Sequence, residues 1–319
     1  MKNRLYYISV ILLFLPFVGC EEEKQSRLPQ KLNKSEAELK TLSLDDYKIH
    51  YLDIGEGEPV VFVHGTLGDY RVWETQLDTF ALDHRVIALS RRYAYPNDQS
   101  LNDLNDYSIP AHAKDLVRFL EKIEVGPVHL VGHSYGAFTS LMASLARPDL
   151  IKSLTLGEPP VNSLLDSLPE AERLRALFIS NVIIPAARSF NVGNDERAVA
   201  LFIGGVLGDS LYYQNAPQKQ KDRMMDNTPE LKAITSGAAV SPKLYCQDFK
   251  SLNVPVLLIK GDRSPRNLRL IIDQLHNCIE RSKLVELQNS SHGLEYENPK
   301  DFNRIVLEFI ESNRSSGEE

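Results

Sequence analysis

The pentapeptide Gly132-His133-Ser134-Tyr135-Gly136 has the residue types and spacing of nucleophilic catalysis. It fits G-x-S-x-G and directly follows the apolar run Val128-His129-Leu130-Val131. In that motif the serine occupies a turn between strand and helix that is tight enough to strain its backbone. Glycines are needed two positions either side because side chains there would collide with the neighbouring strand and helix. The following residues, Ala137 to Ala146, are small and apolar and read as a helix packed on a sheet. A serine hydroxyl is a weak nucleophile at neutral pH and needs a base within hydrogen-bond reach. Eight histidines compete for that role: His50, His64, His84, His112, His129, His133, His276 and His292.

Other chemistries find less support. The histidines are scattered and the cysteines few, which argues against a metal site. No glycine-rich phosphate loop is present, so no cofactor is expected. The net charge of −7, without any basic block, gives no reason to expect nucleic acid as a partner. The 319 residues are 43% hydrophobic and 25% charged, which suits one large or two small globular domains with a substantial core.

The first residues belong to targeting. Lys2 and Arg4 precede the apolar run Leu5 to Val18, which is short for a spanning helix and ends Phe17-Val18-Gly19-Cys20. This resembles a bacterial lipoprotein signal, with Cys20 as the lipidated N-terminus of the mature chain; the alternatives are an ordinary secretory signal or an uncleaved anchor. Glu21-Glu22-Glu23-Lys24 resembles acidic signals that sort some lipoproteins to the cell surface. The expectation is an exported protein in contact with a membrane through its N-terminal lipid, periplasmic or on the cell surface. Residues 1–19 are read as signal and 20–40 as a polar tether. Cys246 and Cys278 are read as unpaired buried residues, although an oxidising compartment would permit pairing.

Hydrophobic patterning predicts the elements that must position the serine. Leu42 to Leu44 and Lys48 to Asp53 read as an antiparallel pair. Buried strands follow at Val60 to Val63, Arg85 to Leu89, Val128 to Val131, Ile151 to Leu156, Val256 to Ile259 and Lys283 to Leu287. Helical segments lie between them at Trp73 to Phe80, Ile109 to Ile123, Phe138 to Ala146 and Leu268 to His276, and Lys300 to Ser312 closes the chain. The alternation implies an α/β fold, a mainly parallel eight-stranded sheet covered on both faces. From Val161 to about Cys246 no convincing strand appears, and this stretch reads as a mostly helical cap inserted after the sixth strand, over the strand ends where ligands bind. The domains expected are core residues 41–160, cap 161–247 and core 248–319.

In this order the elements resemble an α/β-hydrolase. The resemblance rests on His64-Gly65, the serine turn, and Ser291-His292-Gly293-Leu294-Glu295-Tyr296-Glu297-Asn298-Pro299. It is similar to bacterial hydrolases carrying H-G-T-L-G-D-Y-R-V-W and S-R-R-Y-x-Y-P, matched by His64 to Trp73 and Ser90 to Pro96. The resemblance implies His292 as the base, because that loop lies beside the serine turn in this fold. It also implies an oxyanion hole from the backbone amides of Tyr135 and Thr66, or of Leu67 if the loop is shifted by one.

The third member departs from the common pattern. Many relatives carry G-x-x-D after the seventh strand, whereas here the segment reads Gly261-Asp262-Arg263-Ser264. A hydroxyl cannot stabilise an imidazolium as a carboxylate does. Glu158, at the end of the sixth strand, is the expected replacement, with Asp262 the alternative. Leu67, Arg92 and Tyr95 are candidate substrate contacts, together with Tyr212 and Tyr213 in the cap. Trp73 is read as core.

The expected activity is serine-dependent cleavage of a small-molecule carboxylic ester or related acyl compound through an acyl-enzyme. Carbon–carbon, lactone or amide hydrolysis and a cofactor-free haloperoxidase-like activity remain alternatives, and a non-catalytic surface binding protein is the alternative of another class. Dehalogenases and epoxide hydrolases of this fold need an aspartate nucleophile, which the serine excludes.

Overall fold

The structure is a computed structural model that describes residues 38–314 apart from 46, 99 and 101–104. The expected signal segment, Cys20 and most of the tether lie outside the described residues. Eight strands form one sheet: β1 (Lys40–Leu44), β2 (Tyr47–Ile54), β3 (Glu58–Val63), β4 (His84–Leu89), β5 (Val128–His133), β6 (Ile151–Gly157), β7 (Val256–Gly261) and β8 (Ser282–Leu287). Their spatial order is β1-β2-β4-β3-β5-β6-β7-β8. The pairings β1–β2 and β2–β4 are antiparallel and all others parallel.

Strand periodicity explains why both faces are buried. In β3, Val61 and Val63 join one core cluster while Val60 and Phe62 join the other. In β7, Val256 and Leu258 face the first cluster, and Leu257 and Ile259 the second. Successive side chains point to opposite faces, so a strand covered on both sides reads as a continuous apolar run.

The helices are α1 (Glu74–Phe80), α2 (Ile109–Ile123), α3 (Tyr135–Ala146), α4 (Ala171–Phe178), α5 (Ile184–Asn191), α6 (Asp195–Leu207), α7 (Tyr212–Asn215), α8 (Gln218–Met225), α9 (Thr228–Ser236), α10 (Arg266–Cys278), α11 (Leu294–Glu297) and α12 (Pro299–Glu311). The first cluster packs α2, α3 and α10 on one face through Phe119, Phe138 and Ile272. The second packs α1 and α12 on the other through Phe80, Phe302 and Val306, with Trp73 fully buried 4.8 Å from Phe62, ring centre to ring centre.

Between β6 and β7 the chain is helical, α4 to α9, and has its own small core of Val199, Ile203, Leu207, Tyr213, Met224 and Leu231, to which Leu67 of the loop after β3 also belongs. Tyr213 is consequently a core residue of the cap. Two acids from this segment grip the loops after β3 and β4. Arg91 meets Glu230 of α9 through both carboxylate oxygens at 2.6 and 2.9 Å, and Arg71 meets Asp226 at 2.9 Å. Among the described residues no helix is long and apolar enough to cross a membrane.

One expectation is corrected here. Cys246 and Cys278 form a disulfide, with Cα atoms 4.8 Å apart. Cys246 opens a 3-10 turn packed against α10, whose last residue is Cys278. The two cysteines are 32 positions apart in sequence, and only this packing makes them neighbours.

Candidate active site

Ser134 stands between β5 and α3 with φ 52° and ψ −123°, a conformation that side chains other than glycine rarely adopt. Its amide donates to the Gly157 carbonyl at 2.7 Å, tying the turn to the end of β6. The flanking glycines are required by space. A Cβ on Gly132 would lie 2.6 Å from Ala137 Cα, and one on Gly136 would lie 2.3 Å from the carbonyl oxygens of both Val63 and His64. The strained turn therefore presents the hydroxyl above the strand ends.

His292 arrives from the loop between β8 and α11. Its Nε2 lies 2.9 Å from Ser134 Oγ and its Nδ1 2.7 Å from Glu158 Oε2. The carboxylate fixes the tautomer: Nδ1 donates to Glu158, which leaves Nε2 to accept from the serine hydroxyl. Glu158 is fully buried at φ 47°, just past β6, and its Oε1 accepts from the Gly261 amide at 2.9 Å. Because β6 lies between β5 and β7, a glutamate at its tip reaches the imidazole while anchored on the neighbouring strand.

The other candidate acid is turned elsewhere. Asp262 Oδ1 accepts from the Ser290 amide at 2.9 Å and braces the loop that leads to His292. Ser264 is buried, and its hydroxyl has no hydrogen-bond partner among the described residues.

Thr66 and Tyr135 both line the cleft beside Ser134 and His292. Tyr135 opens α3, where the first amides of a helix lack intrahelical acceptors. Neither its amide nor that of Thr66 is hydrogen-bonded among the described residues. The loop carrying Thr66 passes close to the nucleophile, since a Cβ on Gly65 would lie 3.0 Å from Ser134 Cβ. His64 holds that loop: Nδ1 donates to the Gly65 carbonyl at 2.8 Å and Nε2 accepts from the Arg91 amide at 2.9 Å. Burial, with the Arg91 charge added, pushes its pKa down to about 3, so the ring is a neutral brace.

His133 supports the base from behind. Its Nε2 lies 2.7 Å from the His292 carbonyl oxygen and its Nδ1 3.2 Å from Glu295 Oε1. Burial and then the nearby His292 hold its pKa well below the usual histidine range.

Two expected substrate contacts are corrected. Arg92 is paired with Asp115, NH2 to Oδ1 at 2.8 Å, and stacks 4.5 Å above the Tyr47 ring in a separate hollow. Tyr95 stacks 4.2 Å from the Arg71 guanidinium, and its amide donates to Asn227, outside the catalytic cleft. Both follow β4, but the loop turns away from the serine to support the cap. Leu67, at φ 61°, does line the cleft, as does Tyr212.

Sequence reasoning missed Arg223, Gln220, Tyr296 and Glu295, all of which line the same cleft. Two signals were present: an acid three residues after His292, and the lone arginine before Met224-Met225.

A buried Ser–His–carboxylate relay at the strand ends of a mainly parallel sheet, covered by helices, defines the class of the α/β-hydrolases. The chain belongs to the alpha/beta hydrolase fold family, whose model matches residues 58–299. It is 24% identical over 283 residues to the (E)-2-((N-methylformamido)methylene)succinate hydrolase of Acinetobacter baylyi, covering 86% of this chain and 98% of that one. Among solved structures it resembles a bromoperoxidase from Bacillus anthracis at TM-score 0.69 and 23% identity, covering 86% of this chain and all of that one. It also resembles an esterase from Thermogutta terrifontis at TM-score 0.68 and 19% identity, covering 88% and 100%. The structural matches establish the shared fold.

Proposed function

We propose that the protein is a cofactor-independent serine hydrolase that cleaves a carboxylic ester or a closely related acyl compound. The observation that carries this reading is the continuous relay from Ser134 Oγ through His292 to Glu158, at 2.9 and 2.7 Å.

Ser134 Oγ attacks the acyl carbonyl as its proton passes to His292 Nε2. Glu158 stabilises the imidazolium that forms. The carbonyl oxygen becomes an oxyanion, held by the amides of Thr66 and Tyr135, each such donor contributing roughly 3 kcal/mol of barrier lowering. His292 returns the proton to the leaving alkoxide as the ester bond breaks. Water then attacks the acyl-enzyme with His292 again taking a proton. The acid product leaves, and Ser134 regains its hydrogen. Glu158, just past β6, supplies the carboxylate that Ser264 cannot, and this supports an enzyme over a non-catalytic binding protein.

A fluorophosphonate probe should label the protein and fail to label Ser134→Ala. Wild type should hydrolyse short p-nitrophenyl esters in a steady-state assay. Labelling without hydrolysis of any ester would move the reading to an amide, lactone or carbon–carbon bond. No labelling would favour a binding module.

We further propose export and lipid attachment at Cys20. The Cys246–Cys278 disulfide supports this, because such bonds persist in oxidising compartments. Mass analysis of the mature N-terminus in a bacterial host tests it, and an unmodified Cys20 would refute it.

A further inference from the structure

Ser134 lies between two lobes of its cleft. One, of about 790 Å³, is walled by Phe178, Ile183, Phe202, Ile234 and Leu268. The other, of about 600 Å³, brings Arg223, Gln220, Tyr212 and Tyr296 beside Ser134 and His292. Among the described residues that line either lobe, Arg223 is the one lysine or arginine. Its Nε is shielded from solvent, yet it has no hydrogen-bond partner among the described residues. Neighbouring cations are all engaged: Arg71 with Asp69 and Asp226, Arg91 with Glu230, and Lys219 with Glu74.

The acid of this lobe, Glu295, feels the charge of Arg223 but accepts no hydrogen bond from it among the described residues. It is fully buried, and neither carboxylate oxygen has a hydrogen-bond partner among the described residues. Its Oε1 lies 3.2 Å from His133 Nδ1, and because His133 Nε2 must donate to the His292 carbonyl, Nδ1 presents a lone pair. A carboxyl group beside a lone pair keeps its proton. Burial, assisted by the charges of Glu297 and Glu158, pushes the Glu295 pKa up to about 8 against the pull of its own backbone amide and of Arg223. Glu297 itself is committed to the amide and hydroxyl of Ser291. At neutral pH the lobe therefore carries the positive charge of Arg223 in the same cleft as the nucleophile.

We propose that Arg223 binds a carboxylate carried by the substrate, so that the enzyme acts on acidic acyl compounds with the anionic group in this lobe and an apolar arm in the other. This rests on the hydrolase reading above and narrows its substrate class. The planar guanidinium matches a carboxylate through two parallel N–H donors, and a partly desolvated cleft strengthens the pair.

Calorimetric titration of Ser134→Ala protein with monomethyl glutarate and with dimethyl glutarate measures the contribution of the anion without turnover. The half-ester should bind roughly ten-fold tighter or more. That margin should collapse when Arg223→Gln is added and survive in part with Arg223→Lys, which keeps the charge but not the fork. Thermal unfolding verifies that each variant is folded. Equal binding of the two compounds, including no binding of either, overturns the proposal, as does a margin that Arg223→Gln leaves intact. Hydrolysis of monomethyl glutarate by wild type reports separately on the ester chemistry. Failure there with the margin intact would refute the ester and retain the anion site.

Discussion

Replacing Glu158 by glutamine tests the relay most directly, because the structure dictates how the new amide must sit. Glu158 Oε1 accepts from the Gly261 amide at 2.9 Å, so the glutamine oxygen stays on that side to keep the bond. Its NH2 then faces His292 Nδ1, which in the wild type donates to Oε2 across 2.7 Å. Two N–H groups cannot bond, and the imidazole must shift its proton to Nε2, the nitrogen that should take the serine proton. A wrong-tautomer histidine in a triad costs about 10⁴ in kcat, the magnitude known for the corresponding aspartate-to-asparagine change in a serine protease. That corresponds to roughly 5.5 kcal/mol of lost transition-state stabilisation. Asp262→Asn, by contrast, weakens only a brace to the Ser290 amide and should lower kcat by less than about ten-fold, within one hydrogen bond's worth. The assay is kcat and KM on p-nitrophenyl acetate for both purified variants, with active-site titration to count competent serine. The reasoning fails if Asp262→Asn is the more damaging change, or if Glu158→Gln stays within ten-fold of wild type.

Two further outcomes concern stability. Glu295 has its folded pKa raised by burial from an ordinary value near 4.5 to about 8, so between those values the unfolded chain loses a proton that the folded protein keeps. Stability should therefore decline as pH rises through that window; Glu295→Gln, which mimics the neutral acid, should be more stable than wild type at pH 8 by a few kcal/mol and no different near pH 4. Urea unfolding at both pH values checks this, and a pH-independent difference would contradict it. Cys246→Ser with Cys278→Ser opens the loop that the disulfide closes across 32 positions, and should cost about 3–4 kcal/mol in denaturant unfolding, reproduced in wild type by a reductant.

The elements legible in the sequence were those set by short-range rules. Strand runs such as Val60 to Val63 are apolar at every position because helices cover both faces, and they announce a parallel sheet without any knowledge of its order. The cap was legible only as a long stretch without strands. Helix α8 was missed because it is short and strongly polar, with Met224 its one buried residue, and Arg223 went unnoticed with it. The loop after β4 misled in the opposite direction. Its arginines and tyrosines stand at a strand end, where ligands often bind, yet Arg92 and Tyr95 are consumed by Asp115 and Arg71.

Local sequence marked where the strained serine turn forms, because G-x-S-x-G is contiguous and the space at Gly132 is limited by Ala137 and Ser140, a few residues away, whereas the space at Gly136 is limited by Val63 and His64 at the end of β3. It also determined the alternation of strands and helices, because periodicity is a property of consecutive residues. Tertiary structure alone decided which carboxylate meets His292, since Glu158 is 134 positions distant and becomes its neighbour only through the order of β5, β6 and β7. It likewise decided that Cys246 finds Cys278 and that Arg223 lines the cleft with its Nε unbonded among the described residues. Such pairings depend on how distant segments pack, and no spacing along the chain encodes that.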